Sequence, residues 1–597
     1  MREFTAPDTV EVPSDDNLAH TVVRHAQHRP DAVLFRRKVD GQWRPVTAAH
    51  FHRQVTDLAK GLVAAGVETG DKVALMSCTA YEWTLTDYAI WSAGAVTVPV
   101  YETSSPQQVE WILSNSGATI AFAQTEEHAK TIEQARDEAP DVNAVWTFAN
   151  GAVDELTAAG TEVADDEIGR RIDAVPATAL ATIVYTSGTT GRPKGCRLTH
   201  HNLLHNARSA TRDGLDELLH RPDASTLLFL PLAHVFARII QTLCVENAVP
   251  FGHCGNQKEL LDDLADFQPS FILAVPRVFE KVFNSASNKA ALDGKGKIFD
   301  RAAQTAREYS RALDSGGPSG GLRVKHRLFD VLVYRKLRAV MGGQVRFAVS
   351  GGGPLGIDLA HFFRGIGLVV LEGYGLTETS PVISVNLPGD VRLGTVGRPI
   401  GGTTVRIADD GEVLVRGPLV FAGYWNDIAA TDETFDGEGW LHTGDLGELD
   451  EDGYLRITGR KKEIIVTAGG KNVSPSGLED RLRMHPLVSQ CMVVGDNRPY
   501  IGVLVTLDAE ALPGWLSEHG KQEMSADDAR TDEDVRAAVQ AAVDDANQAV
   551  SRAESIRRFR IVPGDWTVEG GQLAAKLSLK RDVVTREQSA EIDALYA

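Results

Sequence analysis

The stretch that most constrains this chain runs from Ala179 to Gly195. Ala179-Leu-Ala-Thr-Ile-Val-Tyr185 is an apolar run of the kind that forms a strand buried on both faces. It opens directly into Thr186-Ser-Gly-Thr-Thr-Gly191 and then Lys194. Small residues there let backbone N–H groups approach an anion, with Gly188 and Gly191 leaving the backbone bare. The hydroxyls of Ser187, Thr189 and Thr190 can add hydrogen bonds to phosphate oxygens. Lys194 supplies a compact positive charge. The spacing is not that of a Walker loop, which needs Gly-x4-Gly-Lys-Ser/Thr; counting from Gly188 or Gly191 fails, so a P-loop kinase or ATPase is disfavoured.

Around this loop the pattern is α/β. Lys72–Met76 reads as a strand, Glu82–Ser92 as a helix and Ala95–Val100 as the next strand. That rhythm implies a parallel sheet covered by helices. At 597 residues the chain is too long for one core and divides into two or more domains. Short strands between Gly and Asp turns over 390–458 suggest a small antiparallel barrel or sheet. Gly459-Arg-Lys-Lys-Glu463 then marks a junction, and the stretch beyond it has the size of a separate small domain. The expected organisation is a large multi-subdomain unit over 1–459, a hinge at 460–463 and a small mobile α+β unit over 464–597.

A net charge of −20 argues against a general nucleic-acid binder. Five scattered cysteines without a CxxC pair argue against a zinc site or a disulfide framework and fit a reducing cytoplasm. The first sixteen residues are polar and acidic, unlike a signal peptide, and no apolar run reaches the ~20 residues that span a bilayer. Any membrane contact is therefore peripheral. Residues 284–340 are helical in pattern, rich in Lys and Arg, and broken by Ser315-Gly-Gly-Pro-Ser-Gly-Gly321. They read as solvated surface helices or as a docking face for anionic lipid or an acidic partner. Nothing in the sequence sets an oligomeric state.

Tyr185–Gly195 resembles the phosphate-loop signature of the adenylate-forming superfamily, which includes acyl-CoA synthetases, luciferases and peptide-synthetase adenylation domains. Further signatures come in the same order over nearly the whole chain. Leu230-Pro-Leu-Ala-His-Val-Phe-Ala-Arg238 resembles the segment lining the acyl site. The resemblance implies His234 beside the substrate carboxylate or phosphate, and Arg238 where some long-chain enzymes hold an aromatic gate. Ser350-Gly-Gly-Gly-Pro-Leu355 resembles the turn beside adenine and implies nucleotide contact at Gly351, Gly352 and Gly353. Glu372-Gly-Tyr-Gly-Leu-Thr-Glu-Thr-Ser380 resembles the adenine and metal segment, with Glu372, Gly373 and Gly375 near the base and Tyr374 stacked on it. It further implies Thr377 on the α-phosphate and Glu378, with Thr186, holding Mg²⁺. Asp445 of His442-Thr-Gly-Asp445 would accept both ribose hydroxyls, with Arg460 assisting, and Lys462 matches the hinge residue.

The C-terminal lysine departs from the family pattern. Long-chain members read Leu-Thr-Pro-Thr/Ser-x-Lys-x-Lys-Arg, whereas this chain reads Leu573-Ala-Ala-Lys-Leu-Ser-Leu-Lys-Arg581. The family's catalytic lysine then falls on Ser578. If the segment is extended, Lys576 shares a face with Ser578 and takes over the role; the alternatives are impaired adenylation or reliance on Lys580 in a shifted register.

The implied activity is ATP-dependent conversion of a carboxylic acid to an acyl-adenylate, and then to a thioester with coenzyme A. Overall length and the 284–340 insertion resemble bacterial long-chain fatty acyl-CoA synthetases. Two other readings stay open: a ligase loading a separate carrier protein, and a weakly active adenylate-binding regulatory protein; a luciferase-like monooxygenase shares the first half-reaction, but nothing in the sequence demands oxygen chemistry.

Overall fold

The computed structural model describes residues 1–186, 192–256, 258–568, 570–574 and 577–597. The strand over Leu180–Thr186 lies in a six-stranded sheet. Its order is Ala144–Thr147, Ala118–Ala123, Lys72–Met76, Val96–Val100, Leu180–Thr186 and Lys194–Thr199. All neighbours are parallel except the last pair. Val96–Val100 is buried along its whole length, as an apolar run in a doubly covered parallel sheet must be.

The helix Tyr81–Ser92 is buried at every position but Glu82. A helix buried all round must pair the charge it carries inside. Asp87 meets that demand through the guanidinium of Arg238, with Nε 3.1 Å from Oδ2, and through Thr97 at 2.7 Å. Arg238 also donates to Thr182 at 2.6 Å and lies over the Trp83 and Trp91 rings. Arg238, expected at an acyl gate, is therefore a core residue: only 1% of it is exposed, and its partner Asp87 holds it inside.

A second sheet joins Phe271–Ala274, Phe347–Ser350 and Val369–Tyr374 in parallel, then Ser384–Val385 and Arg398–Pro399 antiparallel. The strands within 390–458 do not form the closed barrel that was one expectation. Apart from Arg398–Pro399 they lie in an open five-stranded antiparallel sheet ordered Glu3–Thr5, Thr404–Ile407, Glu412–Arg416, Leu441–Leu449 and Leu455–Arg460. The outer strand comes from the N-terminus, paired Glu3 to Arg406, and it does not pair with Leu455–Arg460 at the other end of the strand order.

Residues from 465 onward carry their own apolar core, built on Val488–Val494, Ile501–Leu507 and Ile556–Ile561 with helices such as Ser476–Arg483 and Glu533–Asn547. The 3₁₀ turn Lys461–Glu463 precedes it. No helix among the described residues is long and apolar enough to cross a membrane.

Candidate active site

Thr186 and Lys194 face each other across an antiparallel pair, so the two strands hold both ends of the Gly/Ser/Thr loop in register. Ser187, Gly188, Thr189, Thr190 and Gly191 lie outside the described residues. The strand Lys194–Thr199 is gripped on its other edge by Ala422–Trp425. Trp425 N donates to Gly195 O at 2.7 Å, and Arg197 N donates to Gly423 O at 3.1 Å.

That grip brings in a residue the sequence reading missed. Tyr424 donates its hydroxyl to Glu378 Oε1 at 2.7 Å, and its ring centroid lies 5.2 Å from Lys194 Nζ. Burial, then the Glu378 charge, pushes the Tyr424 phenol pKa far up, so it stays a donor. Cys196, opposite Tyr424, is fully buried, and its thiol lies against Thr186 and Glu378. Thr186, Lys194 and Glu378 thus converge on one small volume. The available signal was Gly423-Tyr-Trp-Asn426, two aromatics after a glycine.

Glu378 sits in the 3₁₀ turn Thr377–Thr379 that comes after Val369–Tyr374. Gly375 has no room for a side chain, since a Cβ would meet Pro381 O at 1.6 Å. Gly373 backs onto Ser384 O. Four residues before Glu378, Tyr374 donates to Asp445 Oδ2 at 2.7 Å, and Arg460 Nε lies 3.1 Å from Asp445 Oδ1. Asp445 and Arg460 are cross-strand partners, and Asp445 is 3% exposed. One segment, 372–378, therefore anchors two clusters: Glu378 with Tyr424 and Lys194, and Tyr374 with Asp445 and Arg460.

Glu372, the first residue of this segment, is buried. Its Oε2 accepts from Leu355 N at 3.3 Å, its Oε1 has no partner, and burial pushes its pKa up to about 8. The Leu355 contact ties it to the turn holding Gly351, Gly352 and Gly353. Gly352 has φ +82°, which favours glycine, and a Cβ at Gly351 would press the Phe236 ring at 3.1 Å. Phe236 in turn donates its N–H to His234 Nδ1 at 3.2 Å, so His234 caps the helix Val235–Asn247.

In the C-terminal segment Leu573 pairs with Leu579, and Ala574 N donates to Ser578 O at 2.8 Å. Leu577 takes φ +63°. The expectation that Lys576 takes over the role of the lysine at the Ser578 position falls outside the described residues, which leave out Lys576. Arg581 holds this segment by a two-pronged pair to Glu479 at 2.6 Å and a contact to Glu463 at 3.3 Å. Lys461 pairs with Asp410 and Glu412, whereas Lys462 is exposed and makes no ion pair among the described residues.

A family model described as AMP-binding enzyme matches residues 22–425, and one described as AMP-binding enzyme C-terminal domain matches 462–597. The chain belongs to the AMP-binding enzyme family. It is 50% identical, over all of both chains, to long-chain-fatty-acid–CoA ligase FadD15 of Mycobacterium tuberculosis. It is 30% identical to the peroxisomal long chain acyl-CoA synthetase 7 of Arabidopsis thaliana, covering 99% of this chain and 87% of that one. Among solved structures, the A domain of carboxylic acid reductase from Segniliparus rugosus, with AMP and a co-purified carboxylic acid, superposes with a TM-score of 0.75. Its identity is 19%, with 99% of this chain and 96% of that chain covered, which speaks to the fold.

Proposed function

We propose that this AMP-binding enzyme is an acid–thiol ligase that activates a long-chain fatty acid with ATP and transfers the acyl group to coenzyme A. The observation that carries the reading is the double anchoring on segment 372–378, which puts a carboxylate and a lysine on one tyrosine at Glu378 and a clamped aspartate on Tyr374. The full-length likeness to a long-chain-fatty-acid–CoA ligase supports the acid and the thiol.

In the first half-reaction a carboxylate oxygen attacks the α-phosphorus, and the bond to pyrophosphate breaks. Both reactants are anionic, so fixed positive charge and N–H donors must be in place beforehand. Lys194 and the loop at 186–191 supply them, His234 and Thr377 face the reacting groups, and Asp445 accepts the ribose hydroxyls while Arg460 and Tyr374 hold it. Gly351, Gly352 and Gly353 leave flat backbone for the base beside Glu372, Gly373 and Gly375. In the second half-reaction the thiol sulfur attacks the carbonyl, and AMP leaves.

The described residues contain no cluster of three or more metal-ligating side chains. Mg²⁺ suits such a site, since it takes one or two protein oxygens and completes its shell from phosphates and water. Glu378 and Thr186 are the residues to hold it; Glu378 has one oxygen fixed by Tyr424. The ion would neutralise phosphate charge there.

The proposed division is a large unit over 1–459, a hinge at 460–463 with Lys462 as pivot, and a small unit over 464–597 that brings Lys576 to the nucleotide. The enzyme is placed in the cytoplasm, with the basic insertion at 284–340 against the inner membrane face. Pyrophosphate release with a panel of acids, with and without coenzyme A, tests the reading. Turnover should peak with long-chain acids and require the thiol. Release without thioester would favour a carrier-loading ligase, and no release would leave an adenylate-binding protein.

A further inference from the structure

The helical run Gly320–Val340 packs one face into the core through Phe329, Tyr334 and Leu337, with Tyr334 donating to Ala302 O at 2.7 Å. Its opposite face is also apolar. Val324, Leu328, Val331 and Leu332 are 68, 58, 57 and 48% exposed. Their spacing of four, seven and eight residues from the first places them in one stripe. A helix apolar on both sides normally has both sides covered. Exposed basic residues flank this stripe: Arg323, Lys325 and Arg327 in the first half, and Arg335 and Lys336 in the second. Lys325 reaches Glu308 only at 3.9 Å, and Arg335 meets Asp330 at 3.1 Å; Arg323, Arg327 and Lys336 make no ion pair among the described residues.

Charge decides the occupant. Residues 284–340 hold twelve Lys and Arg against five Asp and Glu, in a chain of net charge −20. The patch is complementary to an anionic surface, and the aliphatic stripe between its cations needs an apolar layer beneath that surface; an anionic lipid layer supplies both at once. We propose that the stripe Val324–Leu332 and its flanking cations form a docking face for an anionic bilayer. The aliphatic side chains would enter the headgroup boundary, with Arg327 and Lys336 on lipid phosphates. The choice of a bilayer rests in part on the long-chain fatty acid reading, since such acids partition into membranes.

Co-sedimentation of the full-length protein with vesicles tests this. Vesicles of phosphatidylcholine alone are compared with phosphatidylcholine and phosphatidylglycerol in equal parts. Binding is expected on the mixed vesicles only, and it should fall in high salt. Arg327→Glu/Lys336→Glu should weaken it about tenfold or more, given about fivefold per surface cation, and Leu328→Glu/Val331→Glu should weaken it by a similar factor through the apolar area lost from the headgroup boundary. Acyl-CoA formation from acid supplied in detergent should not change in either variant, because none of these residues touches the nucleotide site. Absent binding by the wild type, or equal binding by the variants, overturns the proposal. So does a wild-type dimer that Leu328→Glu/Val331→Glu makes monomeric. If vesicle binding holds but no acid is turned over, the ligase reading fails and the docking face stands.

Discussion

The hydroxyl of Tyr424 donates to Glu378 while the same ring lies against the ammonium of Lys194. One side chain therefore fixes the carboxylate assigned to the metal and the lysine assigned to the phosphates. Tyr424→Phe keeps the ring and loses the hydrogen bond. A bond to a charged acceptor is worth about 1.5–3 kcal/mol, so ATP–pyrophosphate exchange should fall roughly tenfold or more. Titrated with magnesium, the variant should half-saturate at a higher concentration, and Mn²⁺ binding followed by spin resonance should weaken in step. Unchanged magnesium dependence would count against the positioning role.

Asp445 is held from both sides, by Tyr374 and by Arg460. Asp445→Ala should raise the apparent KM for ATP about tenfold or more, with a smaller effect on KM for the acid. Equal effects on both would point to general damage of the sheet.

Arg238 and Asp87 form a buried pair with no site role in this structure. Arg238→Met strands the Asp87 charge and should cost about 3–5 kcal/mol, whereas Asp87→Leu/Arg238→Met should recover much of that. Apparent Tm of the three proteins measures it. A double variant no more stable than the single would show that packing, not charge, governs the site.

Glu372 carries a pH dependence of definite sign. Burial raises its folded pKa from 4.5 to about 8, so the folded protein holds a proton that the unfolded chain has released. Stability contributed by this group is intact below pH 4.5 and is lost as pH rises through about 8. Glu372→Gln removes the dependence. The stability of the variant, followed by Tm, should therefore gain on wild type between pH 5 and pH 9, by an amount of order a few kcal/mol. A constant difference across that range would show that Glu372 is not held neutral.

At the junction, Lys462→Pro restricts the backbone where the small unit would pivot. Single-turnover acyl-adenylate formation should survive better than thioester formation. Equal loss in both halves would argue against the hinge.

The strands Lys72–Met76 and Val96–Val100 were legible because a covered parallel strand is a continuous apolar run. The site was legible where a short motif sits on one strand or turn, as with Glu378 after Tyr374. Tyr424 was hidden because its value comes from two residues more than forty positions away, Glu378 among them. Arg238 misled for a related reason: its charge is answered by Asp87, 151 residues earlier, and no local pattern marks the pair. The pairing of Leu573 with Leu579 and the positive φ at Leu577 leave no periodicity to read.

Glu3–Thr5 pairs with Thr404–Ile407, and Arg406 reaches back to Glu3 across 403 residues. On a ribosome making about 5–20 residues each second, this edge strand waits tens of seconds for its neighbour. The sheet bearing Asp445 is therefore finished late in synthesis, and its first strand must stay out of wrong pairings until then. A fusion that ties up residues 3–5 would be felt at the Asp445–Arg460 pair, more than four hundred residues from where it was added.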